Sequence, residues 1–224
     1  MTGRTVAKAA AVIALITIAA RIVGFGRNVV FANTVGQTCL GETYQTTNTI
    51  PNIVFEVVAG GALAGVVVPL VAGYLARDRN TDANAVASAL LSWAVLVLTP
   101  IAVLIAVLAR PITAAMLGAD ACAGAVDAGA SMLRIFAPQI VLYGVGIVLT
   151  GILQAHRRFA GPALAPLLSS LVVIGAYLTF AFVAGRGADL GEVSTSEQLI
   201  LSVGTTLGVV ALSLSLLVPL LGSG

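Results

Sequence analysis

The stretch Ala9-Ala10-Ala11-Val12-Ile13-Ala14-Leu15-Ile16-Thr17-Ile18-Ala19-Ala20-Arg21-Ile22-Val23-Gly24-Phe25-Gly26-Arg27-Asn28 decides how the chain is read. Its first twelve residues carry no charge, and the apolar pattern resumes through Val29–Ala32. At about 1.5 Å per residue, Arg21 lies about 18 Å in from Ala9, past the middle of a hydrocarbon layer about 30 Å thick. A guanidinium at that depth costs at least about 2.5 kcal/mol, so it needs a polar cavity, a buried partner or an anionic ligand. Arg21 and Arg27 stand about 120° apart on a regular helix and about 9 Å apart along it. Gly24 and Gly26 between them loosen the helix, which would let both cations turn toward one cavity.

The rest of the chain agrees with a membrane setting. Of 224 residues, 59% are hydrophobic and 9% charged, and mean hydropathy is +1.07. Soluble domains carry about a quarter charged residues, so this is an all-α integral membrane protein. The 24 glycines suit helices packed closely in lipid. A net charge of +2 gives no footprint for nucleic acid. One His and two Cys are too few for the usual zinc site. The first apolar segment lacks a small-residue cleavage site and continues as a full span, so no cleavable signal peptide is expected in it. No nucleophile–base set, paired catalytic carboxylates or phosphate loop is visible, so the chain does not read as an enzyme, and no cofactor is expected.

Six spans of roughly 20 mostly apolar residues are expected, at about 9–35, 47–76, 85–108, 128–155, 161–184 and 198–221. Pro51, Gly60, Gly61, Gly65 and Pro69 make the second a candidate bent helix lining a cavity, or a closely packed one. Alternate ends hold Arg4, Lys8, Arg77, Arg79, Arg157 and Arg158, against Arg110 and Arg186 on the other face. The positive-inside rule then puts both termini in the cytoplasm. The chain stops directly after the sixth span, which reads as a truncation, with one lobe of a longer two-repeat transporter present.

Site candidates follow from depth. Arg suits an oxyanion because its planar fork binds bidentately and stays charged. Measured from the outer side, Arg27 and Glu56 are about 12 and 13 Å deep, so a Glu56–Arg27 ion pair is one alternative to ligand binding. Thr46-Thr47-Asn48-Thr49-Ile50-Pro51-Asn52 opens the second span; its threonines and Asn48 read as helix caps, and the deeper Asn52 as a cavity residue. Arg134 reads as snorkelling to the interface. Arg157 and Arg158 read as anchors of the cytoplasmic face. Cys39 and Cys122 both fall in outer loops, in a compartment where disulfides persist. Whether they bridge or stand free is open.

Three motifs in order resemble one family. Arg21-Ile22-Val23-Gly24-Phe25-Gly26-Arg27 resembles the first-helix R-x-x-G-[FL]-x-R of the MurJ/MviN lipid II flippases. Ile50-Pro51-Asn52, Gly61-Ala62-Leu63 and Val68-Pro69 resemble their second helix. Arg158-Phe159 with Pro162-Ala163-Leu164-Ala165-Pro166 resembles their fourth-to-fifth loop. The resemblance implies the N-terminal six-helix lobe of a two-lobed MOP-type exporter in a bacterial cytoplasmic membrane. It implies alternating access around a cationic cavity that carries lipid II, an undecaprenyl-pyrophosphate-linked muropeptide, outward for peptidoglycan synthesis. Its partners would be that lipid, the bilayer and a C-terminal lobe of the same longer chain. Arg21 and Arg27 match the family's first-helix arginines and Asn52 the Asn of its P-N motif. Glu42 stands where an Asp is usual and Asn28 replaces a common Asp. Phe55 and Gly60 replace a common Arg and Glu, so this lobe has one arginine fewer. The alternatives are an exporter of another polyprenyl-linked saccharide or a MATE-like drug exporter, and, in another class, a membrane scaffold for cell-wall enzymes.

Overall fold

The computed structural model describes residues 3–57 and 64–221. Ten helices are formed among them: α1 Gly3–Thr34, α2 Cys39–Val57, α3 Ala64–Leu75, α4 Asn80–Val107, α5 Ala109–Leu117, α6 Ala125–Phe136, α7 Pro138–Ala155, α8 Ala160–Val183, α9 Thr195–Leu214 and α10 Leu217–Leu221. Five helical stretches are long and apolar enough to cross a membrane: Ala10–Thr34, Asn80–Val107, Ala125–Ala155, Ala160–Val183 and Thr195–Leu220. The fold is a membrane helical bundle.

The differences from the expected spans have local causes. The second does not begin at residue 47. Gly36, at φ +74°, turns the chain, its N–H donating to the Phe31 carbonyl at 3.0 Å. The Thr38 hydroxyl then accepts from the Gly41 N–H at 3.2 Å, which starts α2 at Cys39. Gly61, Ala62 and Leu63 of the second motif, and Gly60, lie outside the described residues. The third span ends near Val107 because Pro111 has no N–H to continue the ladder; a short helix, α5, follows that hydropathy did not single out. The fourth starts at Ala125, after Gly124 at φ +80°. It divides at Pro138, which sits in the first turn of α7, where its missing N–H costs nothing. Ser194 and Glu197 form a reciprocal capping box at the start of α9, three residues before the expected start of the sixth span.

Packing follows from the glycines and aromatics. α8 lies between α1 and α9, α7 contacts α3, α4 and α9, and α6 contacts α2 and α5. A Cβ on Gly204 would strike Ala176, and one on Gly208 would strike Val173, so α8 and α9 touch almost backbone to backbone. One buried cluster gathers Phe31, Tyr44, Phe136, Tyr177, Phe180 and Leu201. Tyr44 stands at its centre, with ring centroids 5.7 Å from Phe31, 5.9 Å from Phe136 and 6.0 Å from Tyr177. These are ordinary stacked and edge-on spacings, which add to the area the rings bury. Cys39 and Cys122 form a disulfide, Cα atoms 6.4 Å apart, joining the start of α2 to the loop between α5 and α6. The α1 helix is unbroken through Gly24 and Gly26, so these glycines do not swing Arg21 round to the face of Arg27.

Candidate functional site

Below the aromatic cluster a cavity of about 390 Å³ opens between α1, α2, α8 and α9. Arg27 and Asn28 enter it from α1, and Asn48 and Asn52 from α2; Tyr177 and Thr205 close its far side. The α2 residues Tyr44, Asn48 and Asn52 recur every four positions and so share one helix face. Gln37 and Gln45 add two further amides, and none of the residues lining the cavity is acidic. Arg27 also lies within electrostatic reach of Tyr44, Tyr143 and Tyr177.

The hydroxyls at the back of the cavity have a defined order. The Thr205 hydroxyl donates to the Leu201 carbonyl at 2.8 Å. Its single proton is thereby used, so the 2.6 Å contact with Tyr44 must be a donation from Tyr44. The Tyr44 oxygen then accepts from Tyr177 at 2.9 Å. The chain runs Tyr177 to Tyr44 to Thr205 to backbone. Asn52 is fixed at both ends: its amide donates to the Asn48 carbonyl at 2.7 Å, and its oxygen accepts from Tyr143 at 3.1 Å. The buried Asn48 side-chain oxygen has no hydrogen-bond partner. A guanidinium, several amides and an ordered set of hydroxyls suit a polar, anionic group. Among the described residues no three His, Cys, Asp or Glu side chains group to hold a metal.

The structure unites Arg27, Asn28 and Asn52 but leaves the other candidates apart. Arg21 is exposed, a different face of α1 from Arg27. Glu42 is exposed and lines a neighbouring cavity of about 480 Å³ that shares Gln37 and Gln45 with the first. Glu56 is exposed, and the Glu56–Arg27 pair is not formed: the ion pairs among the described residues are Arg79–Asp82 and Arg110–Asp127. The reason is the true start of α2. Counted from Cys39, Glu56 is about 26 Å down its helix, whereas Arg27 is about 10 Å from the end of α1. The residues level with Arg27 are instead Gln45 and Asn48. Asn48, read as a cap, is therefore interior and lines the site. Tyr44, Tyr177 and Thr205 were missed by sequence reasoning. Their signal was a hydroxyl in an apolar span at the depth of Arg27.

The class is then defined: a polytopic helical membrane protein whose bundle holds a cationic, amide-rich cavity. The family model described as "Lipid II flippase MurJ" matches residues 31–224, and the chain belongs to the MurJ family. Arg21 and Arg27 precede the matched residues. The chain is 26% identical over 163 residues to the Lipid II flippase MurJ of Burkholderia cenocepacia, covering 71% of this chain and 31% of that protein. It is 28% identical over 218 residues to the probable lipid II flippase MurJ of Synechocystis, covering 96% and 40%. A solved structure of Lipid II flippase MurJ in an inward closed conformation superposes with TM-score 0.68 and 20% identity, over 91% of this chain and 41% of that one. The chain thus spans less than half the length of the relatives it matches.

Proposed function

We propose that this chain is the N-terminal lobe of a lipid II flippase that works by alternating access in a bacterial cytoplasmic membrane. Its cavity holds the pyrophosphate of an undecaprenyl-linked muropeptide, and a C-terminal lobe of the same longer chain supplies the opposite wall. The observation that carries the reading is Arg27 opening into a cavity of about 390 Å³ with amide and hydroxyl walls and no acidic lining. An exporter of cationic drugs would need a carboxylate there. In this reading Arg27, Asn28 and Asn52 form the binding wall. Arg21, about 9 Å further along α1, is a second cation on the path of the headgroup, and Glu42 borders the cavity's outer side. Both termini of the lobe face the cytoplasm.

The test is complementation of a flippase depletion strain by the full-length protein. Arg27→Ala and Arg21→Ala should each abolish growth at normal membrane levels. Arg27→Lys should rescue in part, since the charge remains and the fork is lost. Growth with both alanine variants would remove the anionic-substrate reading and leave a scaffold. Orientation is tested separately: reporters fused after Arg79 and after Arg158 should read cytoplasmic, and those near Thr38 and Asp189 external.

A further inference from the structure

The His156-Arg157-Arg158 stretch takes no part in the function proposed above, yet it borders a cavity. At the end of the bundle that carries the α3–α4 and α7–α8 connections, a space of about 220 Å³ opens between α4, α7 and α10. Its polar edge is Asn84, Ser88, His156 and Arg158, and its floor includes Leu91, Ile152 and Leu153. Asn84, Ser88 and Leu91 follow helical spacing, so one face of α4 passes from polar to apolar going into the bundle.

The edge is built to donate. The last carbonyls of α7 are already taken: His156 N–H donates to Ile152, Arg158 N–H to Leu153 and Arg157 N–H to Gln154. The His156 Nδ1 is 2.9 Å from the Ile152 carbonyl; a carbonyl only accepts, so Nδ1 carries the proton and the ring is fixed in the cavity wall. Arg157 takes a left-handed turn at φ +59°, after which Arg158 bonds back across the cavity mouth. One Arg158 N–H donates to the Pro219 carbonyl at 2.5 Å. That anchors the guanidinium and leaves most of its five N–H groups for another acceptor. Among the described residues no carboxylate pairs with it: the acid nearest in sequence on α4, Asp82, is bonded to Arg79 at 2.6 Å.

We propose that this cavity is a binding site for an anionic glycerophospholipid. The phosphate sits against Arg158 with Asn84 and Ser88 as further donors, and an acyl chain lies along Leu91 and Leu153. Basic pockets between transmembrane helices at the cytoplasmic end recognise anionic headgroups in this way. A polar edge above an apolar floor matches a lipid better than a free anion, which would leave the floor unused. The site does not need the flippase activity and rests only on the orientation proposed with it.

The experiment is native mass spectrometry of the delipidated full-length protein with phosphatidylglycerol, phosphatidylcholine or inorganic phosphate added. Phosphatidylglycerol should be retained at least about fivefold better than phosphatidylcholine, the effect of about one favourably placed basic residue. Arg158→Gln should remove that preference. Asn84→Asp, isosteric and on an exposed helix face, should weaken retention about as much without touching the Pro219 contact, which covers the case where the arginine variant folds poorly. Arg77→Gln, at the same end but outside the cavity, should leave retention unchanged. Equal losses in R77Q and N84D would mean diffuse surface charge. An unaltered preference in N84D, or displacement of the lipid by equimolar inorganic phosphate, would also overturn the proposal.

Discussion

Thr205 shows how much a single hydroxyl can carry. It is the acceptor that fixes the direction of the Tyr177–Tyr44–Thr205 chain, and Tyr44 is only 2% exposed. Thr205→Val keeps the shape and removes the acceptor, so the buried Tyr44 hydroxyl loses the group it donates to, though not Tyr177, at a cost of about 1–3 kcal/mol. In a domain of this size about 1 kcal/mol shifts melting by about 2–4 °C. T205V should therefore melt several degrees lower in detergent. Thr179→Val, an exposed site whose hydroxyl bonds only to the Gly175 carbonyl, should not. Equal melting of the two would show that the hydroxyl order contributes nothing to stability. Asn52 belongs to the same scale: Asn52→Leu strips the acceptor from Tyr143 and one amide group from the cavity wall. Complementation should fall sharply while membrane insertion, read by protein level in the membrane fraction, stays normal.

Among the elements, α8 and α9 depend on what is missing from their shared face. Gly204→Ala places a Cβ against Ala176 and should destabilise, because both contacting atoms belong to stiff helix. Gly175→Ala meets open space and should be neutral or stabilise by about 0.4–1 kcal/mol through the unfolded chain. Melting temperatures of the two variants that moved together would refute the close-packing account. The five long apolar helices were legible at this scale, because runs of apolar residues of spanning length leave few alternatives; the short α5 was not. Helix ends were not. The start of α2 rests on Gly36 and Thr38, which hydropathy averages away. That eight-residue error carried straight into the site, since it placed Glu56 level with Arg27 and made Asn48 a cap. Arg27 itself was legible because a cation at depth needs an explanation. Tyr44 and Tyr177 were not, since a tyrosine in an apolar helix reads as core until a neighbouring helix brings a second hydroxyl to it.

For the whole molecule, the disulfide is a covalent tie between distant parts of the chain. Cys39 and Cys122 are 83 residues apart, and a loop of that length corresponds to about 4–5 kcal/mol in the chain-entropy account. The bridge ties the α1–α2 turn to the α5–α6 loop, next to the cavity that Glu42 lines. It therefore limits how far the first helical pair can part from the third span at that end of the bundle. A disulfide persists in an oxidising compartment and is lost in a reducing one, so the same bond reports orientation. In the proposed topology both cysteines face outward. Protein taken from intact cells and treated with a thiol-reactive polymer should stay unmodified until reductant is added, and then gain two adducts. Cys39→Ser with Cys122→Ser should insert normally but melt well below the parent, as should the parent after reduction. Modification of both cysteines before reduction would place this end of the bundle in the cytoplasm. The cavity entrance beside Glu42 would then move to the cytoplasmic side with it.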